Sequence, residues 1–171
     1  MTVRKEVISI FVDNQANVLT RVAGLFGRRG FNIDSLTVSA TNNPAISRIT
    51  IVFEGDEVGL AQILAHTEKL EVVRGIYPLD RDESLFRELL LLKVKANEEN
   101  RSAIREIVDI YRGRIVDLSK ESMIIESTGA PEKIDGLMKM LEDYEILEVC
   151  RTGVTGILRG INQEPPAKNS Y

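Results

Sequence analysis

The stretch NVLTRVAGLFGRRGFN, residues 17–32, decides how the rest of the chain is read. Its glycines, Gly24, Gly27 and Gly30, recur every third residue. A glycine run that cradles nucleotide phosphates must follow a strand and open a helix, because the free N–H groups of the helix start face the phosphate. The apolar spacing here says otherwise. Val18, Val22, Leu25 and Phe26 share one helical face, with Leu19 and Ala23 beside them. Gly24 and Gly27 thus fall inside the helix, where they are expected to allow close packing. Gly30 falls at its end, where a left-handed glycine closes helices. Asn17 stands where a residue can N-cap the helix. The run is a helix and its stop, not a phosphate loop.

Working outward, VISIFVD (7–13) is short, β-branched and alternating, which predicts a strand. FNIDSLTVSA (31–40) and ISRITIVFEG (46–55) predict two more, joined by the turn-rich TNNPA. Parity shifts between Ile33 and Leu36, so a bulge is expected there. DEVGLAQILAHTEKL predicts a helix starting at Asp56, and VVRGIYPL a last strand. The order is β-α-β-β-α-β, the ferredoxin-like arrangement. It then repeats. ELLLLKVKA (88–96) is a strand, and Ile104, Ile107, Val108 and Tyr111 mark a helix ended by Gly113. RIVDLSK and SMIIEST are strands, Pro131 opens a helix carrying Ile134, Leu137, Met138 and Leu141, and ILEVCRTGV closes the unit. The fold class expected is α+β, with two tandem ferredoxin-like βαββαβ modules at 1–79 and 88–160. Residues 80–87 form a polar linker and 161–171 a disordered tail. In the first strand, Val7 and Phe11 point away from Ile8, Ile10 and Val12, onto a face that helices would not cover. That face is expected to pair with another module.

Composition narrows the function. The 171 residues are 43% hydrophobic and 28% charged, with a net charge of −4. A nucleic-acid module would show a basic stripe, and the central strands offer only Phe53 for base stacking. The single cysteine, Cys150, excludes an internal disulfide, and the single histidine, His66, leaves little for a zinc site or a triad. Cys150 is expected to be a buried core thiol and His66 a solvated side chain. The carboxylate clusters EGDE, DRDE and NEEN lie at element ends without metal-ligand spacing. No apolar run reaches a membrane span, and the first residues do not form a signal peptide, so a cytoplasmic protein is expected. No catalytic and no metal-binding residue is assigned.

One constellation remains. The loop DNQAN ends the first strand and opens the first helix, and Asn32 begins the next strand after Gly30. Asn14 and Asn32 supply uncharged amides, Asn17 lies in the loop, and Val18, Leu19 and Ile33 supply an apolar wall. If the module brings these places together, a small amino acid finds an anion site at the helix start, polar groups and room for a side chain. The other reading is that Asn14 and Asn17 simply shape a turn.

The block RVAGLFGRRGFNIDSLTV, Arg21 to Val38, with the later SRIT, resembles the ACT domain of acetolactate synthase small subunits. RELLLLKVKA, YRGRIVDLS and EVCRTGVTGILRG in the second module resemble the same family, so that the likeness spans about residues 5–160. The resemblance implies that the first module is an ACT domain and the chain a non-catalytic subunit without cofactors of its own. The large catalytic subunit would be its partner and would carry thiamine diphosphate, Mg²⁺ and FAD. The small subunit would raise that activity and confer feedback inhibition by valine in branched-chain amino acid synthesis. It also implies a homodimer through paired ACT domains, with effector contacts at Asn14, Asn17, Val18, Leu19, Asn32 and Ile33. The family usually has glycine where this chain has Asn17, and asparagine tolerates a left-handed backbone better than most residues. A second function, a stand-alone amino-acid-sensing module acting on another partner, is separated from this one by co-purification with the large subunit.

Overall fold

The computed structural model describes residues 3–160; the tail expected at 161–171 lies outside them. The elements run β1 (Arg4–Asp13), α1 (Val18–Arg28), β2 (Ile33–Ala40), β3 (Ile46–Gly55), α2 (Glu57–Thr67), β4 (Val73–Pro78), β5 (Ser84–Lys95), α3 (Arg101–Ile110), β6 (Arg114–Leu118), β7 (Ser122–Gly129), α4 (Pro131–Met140), β8 (Ile146–Arg151) and β9 (Thr155–Leu158). The chain divides into two compact units, one reaching to Leu85 and resuming at Val154, the other Phe86–Gly153. Both are α+β and follow the expected βαββαβ order.

The first unit's antiparallel sheet has the order β2-β3-β1-β4. Alternation along β1 and β3 sends Ile8, Ile10, Val12, Ile49, Ile51 and Phe53 to the face covered by helices, where they pack with Val18, Val22, Leu25, Phe26 and Ile63. Phe53 meets Phe26 and Phe31 edge to face, at centroid separations of 5.4 and 5.5 Å. The expected bulge lies between Ile33 and Ser35, and it lets both Ile33 and Leu36 pack on this core. Helix α2 starts as expected. The Asp56 side chain accepts from the Gly59 N–H at 2.8 Å.

The second unit repeats the plan with the order β6-β7-β5-β8. Leu90, Leu92, Val94, Met123 and Ile125 meet Ile104, Val108, Ile134 and Leu137 in its core. Below that core, the buried Glu88 carboxylate is gripped by Arg151 through two bonds of 2.6 and 2.8 Å, and Arg151 also reaches Asp135 at 2.9 Å. These bonds hold the Arg151 guanidinium firmly charged, its pKa raised above the ordinary value.

Several expectations are corrected. Residues 84–87 are not linker but the first turn of the pleat in β5. Residues 154–159 belong with the first unit rather than the second. Gly24 and Gly27 permit no close packing here, since a Cβ added at either would meet nothing within 4 Å. At the end of α3 the left-handed residue is Arg112 (φ 52) rather than Gly113. Gly113 is needed for space: a Cβ there would lie 3.0 Å from Val108 Cγ1 and 3.3 Å from the Glu126 carbonyl oxygen. Cys150 is exposed: it lies on the edge strand β8, all of whose residues after Ile146 are exposed, and its register opposite Leu91 also turns it away from the buried Leu90 and Leu92. His66 is half-buried rather than fully solvated, at 2.6 Å from an Arg29 guanidinium nitrogen.

The free face of the first sheet is also not free. Val7, Ser9, Thr50 and Val52 lie on the face away from the helices, yet each is at most 8% exposed. Residues 154–159 return to this unit and bond to groups on that face. Thr37 Oγ1 donates to the Val154 carbonyl and the Val154 N–H to Ser35 Oγ, both at 3.4 Å. An Arg48 guanidinium nitrogen donates to the Gly156 carbonyl, and the guanidinium carbon lies 5.4 Å from the Phe11 ring centroid. The strand β9 pairs with β5, and the Arg159 N–H donates to the Glu83 carbonyl at 2.8 Å. A segment more than one hundred residues away in sequence therefore occupies the face that alternation leaves bare.

Candidate functional site

The six candidate residues are set by β1, α1 and β2. Asn14 continues from the end of β1. Its N–H donates to the Ala45 carbonyl at 2.8 Å and its Nδ2 to the Pro44 carbonyl at 2.9 Å, which ties the loop to the turn between β2 and β3. Asn17 occupies the N-cap position with φ 67 and ψ 0, and its side chain makes no capping bond. It therefore ends the loop by its left-handed backbone, not by its amide. This is the conformation glycine adopts freely, and asparagine is among the few other residues that tolerate it. Val18 is 4% exposed and belongs to the core, whereas Leu19 is 43% exposed. The first turn of α1 holds no acidic side chain, so its free N–H groups face no built-in carboxylate.

Asn32 lies elsewhere. Its Nδ2 donates to Asp34 Oδ1 at 3.3 Å, and Asp34 pairs with Lys5 at 3.1 Å, near the start of β1. The register explains why. Ile33 is level with Phe53 and Phe53 with Glu6, while Asp13 is level with Ile46. Asn14 and Asn32 are thus separated by about eight rungs, roughly 26 Å at the usual strand rise. Within one chain Asn32 does not face the loop at Asn14. The structure gathers Asn14, Asn17, Val18 and Leu19 at one end of the sheet, and leaves Asn32 and Ile33 at the other. The predicted order already implied this: a helical crossover makes β1 and β2 parallel, so the end of one and the start of the next lie at opposite ends of the sheet, and the β2–β3 and β1–β3 registers set the length of the separation. Among the described residues no group of three or more His, Cys, Asp or Glu is arranged to hold a metal.

Comparison with known proteins assigns both units. Residues 87–160 match the family model described as the small subunit of acetolactate synthase, and residues 8–74 the one described as an AHAS small subunit-like ACT domain. The chain belongs to the acetolactate synthase small-subunit family. It is 44% identical over 153 residues to the acetolactate synthase small subunit of Mycolicibacterium smegmatis, covering 90% of each chain. Against the small subunit of Buchnera aphidicola subsp. Schizaphis graminum it is 34% identical over 157 residues, covering 91% of this chain and 99% of that protein. The crystal structure of the Thermotoga maritima acetolactate synthase small subunit superposes with a TM-score of 0.85 at 37% identity, covering 92% of this chain and 99% of that one. The likeness thus extends through both units, and the first unit is an ACT domain in this small-subunit context. Among the described residues no helix is long and apolar enough to cross a membrane.

Proposed function

We propose that this chain is the non-catalytic regulatory subunit of acetolactate synthase. It binds the large subunit, raises its activity, and makes it respond to a small amino acid, valine being the first candidate. The large subunit supplies the chemistry, with thiamine diphosphate, Mg²⁺ and FAD, and the complex works in the cytoplasm. Family membership along both units supports the subunit role.

The observation that carries the effector reading is the separation of Asn14 from Asn32 together with the edge position of β2. Two copies that join their β2 strands antiparallel about Leu36 and Thr37 set Ile33 of one level with Ala40 of the other. Ala40 is level with Ser47, and Ser47 with Val12. Asn32 of a second copy then approaches the end where Asn14, Asn17 and the start of α1 lie. A symmetric pair holds two such sites, each built from both chains. Valine offers a carboxylate for the α1 N-terminus, an ammonium for the asparagine amides, and a branched side chain for Val18 and Leu19. The open flank of α1 at Gly24 and Gly27 suits the approach of another backbone.

The test is acetolactate formation by the cognate large subunit, with and without this chain, across a valine titration. Activation followed by inhibition is expected. Absence of activation would reject the subunit role, and activation that no amino acid reverses would reject the effector role.

A further inference from the structure

We propose that residues 154–159 form a displaceable strap, seated by Arg48, that reports ligand occupancy at β2 to the second unit. This rests on the effector reading above and adds the element that carries the signal. The second unit ends at Gly153, a glycine with φ 81, and the strap begins at the next residue. Any shift of the strap is delivered covalently to β8, the strand that precedes it. The strap is bonded to the strand that also carries Ile33. Ser35 and Thr37 of β2 hold Val154 from the face opposite Leu36.

The seat is unevenly held. Both bonds to β2 measure 3.4 Å, far beyond the usual separation of about 2.9 Å. The strong hold comes from Arg48, whose charged donor meets the Gly156 carbonyl. Even there the fit is incomplete. Arg48 Nε and Ser9 Oγ are buried with no hydrogen-bond partner among the described residues. Buried donors and acceptors are normally paired, so a face that leaves these unsatisfied gains something when the strap moves off and water enters. The strap is thus anchored by Arg48 and, at its far end, by the β9–β5 pairing and the 2.8 Å bond from the Arg159 N–H to the Glu83 carbonyl. Its first residue, on the face with two orphaned polar atoms, is held to β2 only by two marginal bonds: that end is the loose one. A switch needs such a loose end, because a ligand shifts an equilibrium only as far as its differential affinity allows. A ligand that re-aims β2 by a fraction of an ångström changes both marginal bonds at once.

Hydrogen exchange on the full chain, with and without saturating valine, tests this at the amides of 155–158. Valine is expected to change their exchange by about tenfold, a shift typical of local opening equilibria. Arg48→Ala is expected to speed that exchange about tenfold in the absence of valine, with native circular dichroism and a valine Kd within about twofold of wild type. In the complex with the large subunit, the same variant keeps activation and loses about tenfold in sensitivity to valine. Should Arg48→Ala fail to fold, Thr37→Val removes one marginal donor and is expected to move both readouts in the same direction by less. Arg48→Lys is expected to restore part of the wild-type behaviour. Valine that binds without changing strap exchange would overturn the strap alone. So would an Arg48→Ala chain with fast strap exchange and wild-type inhibition. No valine binding by the wild-type chain would instead reject the effector reading, and the strap's role in reporting it with it.

Discussion

The two units share one plan and treat the back of the sheet in opposite ways. In the first, Ser9 and Thr50 at the centre of the face away from the helices are 0% and 1% exposed, because the chain returns there after Gly153. In the second, Leu91 at the corresponding place is 37% exposed and its neighbour Cys150 is exposed too. Around them run the ion pairs Lys93–Glu148 at 2.8 Å and Lys95–Glu145 at 2.7 Å. The Lys93 contact holds the Glu148 carboxyl below its ordinary pKa. A βαββαβ module needs helices on one face only, so the other face is available for a second use. The first unit closes it with its own chain, and the second keeps it solvated with charge.

The contrast can be broken most severely by putting one charge on each face. Ser9→Lys is expected to cost at least about 3 kcal/mol, since an ammonium would be trapped under the strap without a partner. Leu91→Lys should cost at most about 0.5 kcal/mol. Denaturant titration of the two variants checks this, and equal losses would show that the two faces are alike. Next comes Glu88→Gln. The amide cannot neutralise Arg151, but Arg151 is one-third exposed and keeps Asp135, so a loss of about 2 kcal/mol is expected. Exchange protection should fall in 86–153 while that of β1 and β3 is kept; loss in both units would mean that they do not unfold separately.

A smaller effect is expected at Gly24 and Gly27, which have open space around a new Cβ. Replacing either with alanine should stabilise α1 by about 1 kcal/mol in the isolated chain. If α1 approaches a second copy, the same change weakens self-association, which sedimentation at several concentrations reads. The smallest effect is at His66. Desolvation first, then the charges of Arg29 and Lys69, lower its pKa in the folded chain. The unfolded chain therefore takes up the proton first as pH falls below the ordinary histidine range, and stability declines through that window. His66→Gln keeps an acceptor for Arg29 and should flatten that slope.

Much of this fold was legible in the residues. Alternation in β1 and β3, the 3.6-residue spacing of Val18, Val22, Leu25 and Phe26, and the parity shift at Ile33 are local signals, and they survive folding because both faces of each element are decided by burial. Gly30, with φ 74, closes α1 as its position suggested. What local pattern could not give was long-range. Val7, Ser9 and Val52 carry no mark that residues 154–159 will cover them, and Cys150 looked buried only because its strand neighbours are apolar. The candidate site was half legible. Residue types named Asn14 and Asn32, but their eight-rung separation comes from the registers of three strands. Asn17 is a further case: its type suggested a side-chain cap, and its φ of 67 shows a backbone role instead.

The central claim is that one effector site is built from Asn14 of one chain and Asn32 of another. Mixing two inactive variants tests it most directly. Asn14→Ala and Asn32→Ala chains should each lose valine binding alone. Refolded together at equal amounts, half of the dimers are mixed, each with one intact site, so binding should return at about a quarter of all sites. No recovery on mixing, with both variants folded and paired, would contradict the account and return the site to a single chain.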